Sequence, residues 1–114
     1  MHLLEMLGQR KRTATEPPFT GQVTELDGSP ADLSSGVTNL KFRLGTPGQT
    51  PIIDQTATFT NAALGEWEYV LTTLQAAALT PGIVLVHVVI TYDSGLVEPV
   101  PFDHYFELEI LEML

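Results

Sequence analysis

The amino-acid sequence predicts an all-β protein, an antiparallel β-sandwich of about seven short strands with one short helical turn. Two observations lead to this fold class. Apolar and polar residues alternate over short runs, which is typical of strands that bury one face. Glycine, proline, serine and aspartate bound each run, so turn signals recur at spacings of about 8–12 residues, as they do in sandwich folds.

Length, composition and charge restrict the class of protein further. The 114 residues suit a single domain, and a chain of this size buries about two-thirds of the surface that it exposes when unfolded. The lack of cysteine excludes disulfides and thiolate metal sites. The formal charge of −9 argues against nucleic-acid binding by the main domain, because an acidic surface repels phosphate.

Three strands are predicted between residues 19 and 60. Alternation over residues 19–24 gives the first, which ends at an Asp-Gly turn. The run VTNLKFRL gives the second, a half-buried strand with apolar side chains at alternate positions. A break rich in glycine and proline follows, and residues 52–60 predict the third strand.

The next two elements follow an Asn-to-Gly turn. The run WEYVL predicts a strand that begins at Trp67, the only tryptophan and the expected largest core side chain, since an aromatic residue buries about 150–250 Å². Residues 72–79 predict the short helical turn, because a threonine can cap it, the alanines favour it and Thr-Pro-Gly ends it.

The last part of the chain contains the most apolar strand, Ile83–Tyr92, which carries large apolar side chains on both faces. One face is expected to cover the core, and the other to be covered by something else. A tight turn at residues 93–95 leads to a return strand, which Pro99 and Pro101 restrict to a sheet edge or bulge. Residues 102–114 predict the closing strand.

These elements together predict an immunoglobulin-like sandwich without a disulfide over residues 19–114. Residues 1–18 show no sustained periodicity of apolar residues, neither that of a helix nor that of a strand, and are interpreted as an N-terminal arm or linker. Their apolar patch contains Glu5 and precedes the basic triplet, so we expect no signal peptide and a protein made in the cytoplasm. The longest apolar run is far shorter than the roughly 20 residues of a membrane-spanning helix, so no such helix is expected.

The order of motifs resembles the immunoglobulin-like domain family of phage virion proteins, typified by the N-terminal domain of phage baseplate upper proteins. The segments that carry this resemblance are PPFTGQVTELDGSPADLSSG, VTNLKFRLG, ATFTNAALGEWEYVL, the Ala-rich turn that ends in TPG, and IVLVHVVITYDSGLVEPVP. They cover roughly residues 17 to 110. Residues 1–16 depart from the family pattern, and we expect no downstream fibre or receptor-binding region.

The resemblance implies a non-enzymatic structural component of a bacteriophage virion, made in the host cytoplasm. It is compatible with capsid decoration or cement and with a tail, neck or baseplate accessory protein, and it does not identify the position in the particle. The implied partners are other virion structural proteins, bound through protein–protein interaction in symmetric repeated copies.

Partner contacts are expected at both termini and at one sheet face. LLEML at residues 3–7 is echoed by ILEML at residues 110–114, and a monomer rarely exposes an apolar strand face. The basic triplet suits docking onto an acidic neighbour, although a solvated linker explains it equally well. The predicted partner-binding residues are Leu3, Leu4, Met6, Leu7, Arg10, Lys11, Arg12, Ile83, Leu85, His87, Val89, Leu111 and Met113.

No catalytic, cofactor-binding or metal-binding residue is predicted. A metal site needs three or four ligands at defined geometry, which His87 and His104 do not supply. His87 is interpreted as a packed or interface residue, and His104 is expected to point into the core. The aspartates at 27, 32 and 93 could bind calcium, but turn chemistry explains them without a metal.

Two further classes of function remain open as alternatives. The first is a carbohydrate-binding adhesion module on the particle surface, which would bind a host glycan through the exposed rings of Tyr69, Tyr92 or Tyr105. The second is an enzyme, such as a small hydrolase. The same-face pairs Glu66/Glu68 and Glu107/Glu109 match paired carboxylates, but a solvated strand face explains them without catalysis.

Overall fold

The computed structural model describes residues 2–6, 9–11, 18–46, 48–101 and 104–111, with the backbone alone at residues 9–11. Over these residues the chain forms two β-sheets that pack on each other around one core, which confirms the predicted antiparallel β-sandwich. In chain order the elements are β1 (Leu3–Met6), β2 (Gln9–Lys11), β3 (Phe19–Thr24), β4 (Val37–Gly45), β5 (Ile53–Thr56), β6 (Thr58–Asn61), a 3₁₀ turn (Ala62–Leu64), β7 (Glu66–Tyr69), α1 (Thr73–Ala78), β8 (Gly82–Tyr92), β9 (Val97–Val100) and β10 (Phe106–Leu111).

The four-stranded sheet has the order β1-β3-β7-β6, and the six-stranded sheet has the order β2-β10-β8-β4-β5, with β9 also paired to β8. All the described pairings are antiparallel except that of β2 with β10, which is parallel. Strand β8 is the centre of the six-stranded sheet. On one side it pairs with β4, and on the other with β10 along its first half and β9 along its second half.

The segment 1–18, expected to lie outside the sandwich as an arm, contributes a strand to each sheet over its described part. Strand β1 pairs with β3 in the four-stranded sheet, with Leu4 opposite Val23. Strand β2 pairs with β10 in the six-stranded sheet, with Arg10 opposite Ile110. The amino-acid sequence shows no alternation of apolar and polar residues in this segment, because β1 and β2 are too short for such a pattern to be recognised. The strands with which they pair also lie far away in the sequence.

The predicted strand over residues 52–60 is two strands in different sheets. Strand β5 pairs with β4, and β6 pairs with β7, so the chain changes sheets at Ala57. The Ala57 backbone N–H donates to the carbonyl of Leu40 at 2.8 Å, which satisfies this peptide group at the crossing point. Ile53 and Ala57 are buried and Phe59 is half-buried, so the predicted apolar face does point into the core.

An aromatic cluster joins the two sheets at the centre of the core. The Phe42 ring of β4 stacks on Phe19 and Tyr69 at centroid distances of 5.0 and 5.1 Å, and lies 5.8 Å from the Trp67 ring. Trp67 is fully buried, as predicted. Its indole lies across Gly21 of the neighbouring strand, where an added Cβ would meet the ring at 2.4 Å. Only glycine fits beneath this indole.

The helical turn forms where the sequence predicts it, and its cap joins it to the core. The Thr72 hydroxyl accepts from the Gln75 backbone N–H, and the Gln75 side chain accepts from the Thr72 backbone N–H, which is a capping box. The same Gln75 oxygen accepts a hydrogen bond from the Tyr69 hydroxyl at 2.7 Å. In the described part of the chain, no helix is long and apolar enough to cross a membrane.

Two aspartates form the turns that the sequence predicts. One carboxylate oxygen of Asp27 accepts from the Ser29 hydroxyl and backbone N–H, and Asp32 bonds Ser34 in the same way. These hydrogen bonds, the side-chain bond first, lower the pKa of both carboxyls. The bonds satisfy the carboxylates locally, as expected of Asx turns.

Candidate functional site: a pocket on the six-stranded sheet

The outer face of the six-stranded sheet carries a row of polar side chains that crosses three strands. Arg43 of β4 is the register partner of His87 on β8 and of Asp54 on β5. The Arg43 Nε–H donates to Asp54 Oδ1 at 3.0 Å, so the guanidinium is fixed in direction along the sheet surface. Strand register therefore brings together three residues that are far apart in sequence.

Tyr105 extends this row beyond β8. It precedes β10, and its ring meets the His87 imidazole edge-on, with the centroids 5.3 Å apart and the planes at 75°. This T-shaped arrangement is a favoured aromatic geometry. The Tyr105 side chain remains 41% exposed, so it contacts His87 with one part of the ring and presents the rest to solvent.

A pocket of about 120 Å³ lies between this row and the loop that joins β4 to β5. The loop is held by hydrogen bonds from the Ile52 N–H to the Leu44 carbonyl at 2.8 Å and from the Gln49 N–H to the Thr46 carbonyl at 3.2 Å. The lining combines apolar walls with a few polar groups. The described residues that form it are Arg43, Leu44, Gly45, Thr46, Gly48, Gln49, Pro51, Leu85, His87 and Tyr105.

Burial and the positive charge of Arg43 favour the neutral form of the His87 imidazole. Loss of solvent lowers the pKa of His87 below its ordinary 6.5, and the positive charge of Arg43 lowers it further, while Asp54 acts in the opposite direction. At pH 7 the ring therefore has one N–H donor and one acceptor nitrogen. The pocket thus contains an imidazole that can both donate and accept a hydrogen bond. Beside it lies the Arg43 guanidinium, whose charge is paired with that of Asp54.

A second polar cluster attaches the N-terminal strand to the far edge of β8. His2 Nδ1 lies 2.8 Å from Glu98 Oε2, and His2 Nε2 lies 3.5 Å from a carboxylate oxygen of Glu25. The Tyr92 hydroxyl donates to Glu98 at 2.5 Å. Burial raises the pKa of the Glu98 carboxyl, but the bonds from Tyr92 and His2 outweigh it and lower the pKa overall. This cluster connects β9, β8 and the segment before β1.

The described residues contain no group of three or more histidine, aspartate and glutamate side chains placed to hold a metal ion. His104, which we expected to point into the core, is exposed instead, because β10 begins only at Phe106. Among the three tyrosines considered for glycan binding, Tyr69 is buried and Tyr92 is engaged with Glu98. Tyr105 has an exposed ring.

The predicted partner-binding residues divide into several groups. Ile83 is 58% exposed and lies on the outer face of β8, as a docking residue must. Leu3, Met6 and Leu111 are half-buried. Strand β2 places the backbone of Arg10 and Lys11 at the edge of the six-stranded sheet. Leu7, Arg12 and Met113 lie outside the described residues.

Two of these residues are not available to a partner. Leu4 is only 8% exposed and belongs to the core of this chain, because β1 lies in the four-stranded sheet with this side chain inward. Val89 is 5% exposed although it faces outward, since its register neighbours Lys41 and Pro99 flank it on both sides. Leu85 and His87 are half-buried and line the pocket.

Sequence reasoning did not find the pocket. The alternation in VTNLKFRL puts Arg43 on the outward side of its strand, and Tyr105 is a candidate aromatic residue, but nothing near either residue in the sequence indicates the other. The signal that could have found them is the antiparallel register, which places residues 43, 54 and 87 in one row. That register depends on the full topology of the sheet.

Comparison with known proteins identifies the fold. No protein-family model matches the sequence, and no curated protein sequence is significantly similar to it. Among solved structures, the chain is similar to CopC from Methylosinus trichosporium OB3b, with a TM-score of 0.56 and 9% sequence identity. The similarity covers 100% of this chain and 97% of the other. At this identity the likeness shows a shared β-sandwich architecture and nothing about function.

Proposed function

We propose that the chain is a non-enzymatic structural component of a phage virion, acting as a capsid decoration or cement protein or as a tail, neck or baseplate accessory protein. It attaches through its terminal strands and the apolar residues next to them. The phage assignment comes from the resemblance of the motif order described above. The mode of attachment is argued from the position of the terminal strands.

The observation that carries this mode of attachment is that the two N-terminal strands are edge strands of different sheets. Among the described strands, β1 pairs with β3 alone and β2 with β10 alone. An edge strand presents unpaired N–H and C=O groups, to which a strand of another protein can be added. The N-terminal segment therefore provides one edge strand in each sheet to which a strand of a partner protein can be added.

An exposed apolar residue on β8, separated from the β2 edge by β10, supports the same mode of attachment. Exposed Ile83 is the register partner of Glu109, which is in turn opposite Gln9 of β2. Half-buried Leu111 ends β10 on the same outer face. Backbone pairing at the edge and apolar burial at Ile83 would act together at symmetry-related positions in a particle. We call Ile83, Leu111 and strand β2 the docking edge.

Quantitative mass spectrometry of purified particles from the source lysate tests the function. The copy number of this chain is compared with that of the major capsid subunit. A high ratio is the result expected of capsid decoration, and a low but definite ratio is expected of a tail, neck or baseplate component. Absence of the chain from intact particles would overturn the proposal.

The docking edge is tested by substitution in the same particles. Ile83→Glu places a charge at the apolar contact, and we expect incorporation to fall at least tenfold. Leu74→Glu is the matched control, because Leu74 is 83% exposed and belongs to α1, which is not part of the docking edge. Equal incorporation of the two variants would show that Ile83 takes no part in attachment.

A further inference from the structure

We propose that the pocket between Tyr105 and the β4–β5 loop binds a single uncharged sugar residue of a glycan. This site is distinct from the docking edge and does not depend on the chain being a virion protein. It is argued from the walls of the pocket, from its polar groups and from its size.

The walls suit the two-sided character of a sugar ring. A pyranose has C–H groups that pack on an aromatic surface, and hydroxyls around its rim that need hydrogen bonds. Tyr105 supplies a ring that is oriented by its T-shaped contact with His87, lines the pocket and is 41% exposed. Leu85 and Pro51 extend the apolar surface. Ligand pockets typically combine such apolar walls with a few placed polar groups.

The polar groups provide both donors and acceptors, which is what hydroxyls require. A guanidinium has five N–H donors, and the bond from Arg43 Nε to Asp54 fixes the direction of the others. His87 supplies one donor and one acceptor in its neutral form, and Gln49 and Thr46 each supply both kinds of group.

The charge balance favours an uncharged ligand. Arg43 is already paired with Asp54 at 3.0 Å, so the row is close to neutral as a unit. An anionic sugar would have to share the guanidinium with this carboxylate in a chain of formal charge −9. Repulsion by the acidic chain would oppose its approach. A ligand whose polar groups are hydroxyls encounters no such opposition.

The size of the pocket sets the expected affinity. At about 120 Å³ it is smaller than the roughly 300–1,000 Å³ of pockets that enclose drug-sized ligands. One ring can enter, and the remainder of a glycan stays in solvent. A dissociation constant of about 1 mM is expected for such a contact, and repeated copies on one particle would raise the overall avidity by about 10²–10⁴.

The test is an NMR titration of the full chain with methyl glycosides of glucose, galactose, mannose and N-acetylglucosamine, with glucuronic acid as the anionic comparison. Each sugar is added to about 50 mM, well above the expected dissociation constant of about 1 mM. We expect at least one neutral glycoside to shift the backbone amides of Leu85, His87 and Gln49. Shifts with glucuronic acid alone, or none with any sugar, would overturn the proposal.

Two variants at Tyr105 separate sugar stacking from folding. Tyr105→Ala removes the ring and should weaken binding at least tenfold, whereas Tyr105→Phe keeps the ring and should retain binding within about threefold, as expected for one stacking contact.

Gln49→Ala tests the loop side of the pocket without touching the Tyr105 ring, and should weaken binding severalfold. Unchanged binding in both alanine variants would place the sugar elsewhere and overturn the assignment.

Discussion

The outer faces of the two sheets differ in character although both lie on the same core. The four-stranded sheet presents Thr20, Gln22, Glu66 and Glu68 along β3 and β7, a solvated face of hydroxyl, amide and carboxylate groups. The six-stranded sheet presents the apolar side of β8 together with the row of Arg43, His87 and Asp54. Apolar and polar residues alternate on strands whose outer face is solvated, and this alternation is lost on β8, whose outer face is partly covered by neighbouring strands.

This difference shows which face is available for binding. A strand that needs only a solvated outer side can carry threonine, glutamine or glutamate at every second position, as β3 and β7 do. Strand β8 instead places Leu85 and Val89 outward, and its neighbours cover part of that surface. Ile83 and the pocket beside Leu85 remain uncovered, and both are places where we propose binding.

The inner faces should respond equally to substitution, and this is the largest expected effect. Trp67 comes from the four-stranded sheet and Phe42 from the six-stranded sheet, and both are fully buried in one aromatic cluster. Trp67→Ala and Phe42→Ala should each lower the free energy of unfolding by about 3–5 kcal/mol. Urea denaturation followed by circular dichroism measures both. A loss below about 1 kcal/mol in either variant would mean that the two sheets do not share this core.

The second prediction tests whether the N-terminal strand is part of the sandwich. Leu4→Ala should lower the free energy of unfolding by about 2–3 kcal/mol, because it removes a buried side chain from the core. Leu3→Ala is the matched control on the same strand, and its half-buried side chain should contribute less than about 1 kcal/mol. If both variants lowered the urea midpoint equally and only slightly, the N-terminal segment would not be part of the sandwich core, and residues 1–18 would be an arm as the sequence predicted.

The third prediction compares the two outer faces directly. Val89→Lys and Thr20→Lys introduce the same side chain at a β-branched position in mid-strand, one on each face. Val89 is buried between Lys41 and Pro99, so its replacement should cost about 1–3 kcal/mol. Thr20 is exposed opposite Glu68, and its replacement should stay within about 0.5 kcal/mol. If the two variants had similar thermal midpoints, the outer face of the six-stranded sheet would be no more covered than that of the four-stranded sheet.

The smallest expected effect is a difference in pH dependence. Because burial lowers the folded-state pKa of His87 below 6.5, the unfolded chain binds a proton more readily than the folded chain as the pH falls below 6.5. The stability associated with neutral His87 is therefore complete above pH 6.5 and is lost as the pH falls from there towards the folded-state pKa. His87→Gln removes this contribution, so its urea midpoint should fall less than that of the unaltered chain between pH 7 and pH 5. If the urea midpoints of the variant and of the unaltered chain fell equally between pH 7 and pH 5, the prediction would be contradicted.

Much of the sandwich could be predicted from sequence because its strands bury one face regularly. The alternation from Leu40 to Leu44 and from Trp67 to Leu71 indicated strands, and the capping threonine and the Thr-Pro-Gly stop indicated the helical turn. Strands β1 and β2 escaped prediction because they are short and are stabilised by distant partners. The change of sheet at Ala57 also leaves no periodic signal, since the side chains on both sides of it point into the same core.

The pocket was beyond sequence reasoning for a different reason. Its polar row depends on the registers of β4 with β5 and of β4 with β8, and its aromatic wall depends on where the chain enters β10. A shift of one residue in either register would move these side chains to opposite faces of the sheet. Such a site is a property of the assembled topology, and no strand considered alone shows that Arg43, Asp54 and His87 lie in one row.

The parallel pairing of β2 with β10 has a mechanical consequence. Because β2 and β10 are parallel, a tensile force between residue 9 and residue 111 pulls the two strands in opposite directions along their length, and β10 is also paired with β8 on its other side. The hydrogen bonds of both ladders lie across the direction of pull, so they share the load and must rupture together. Peeling a strand from a sheet end breaks such bonds one after another and needs less force. The C-terminal strand is therefore loaded in shear, the direction in which a β-sheet resists extension best.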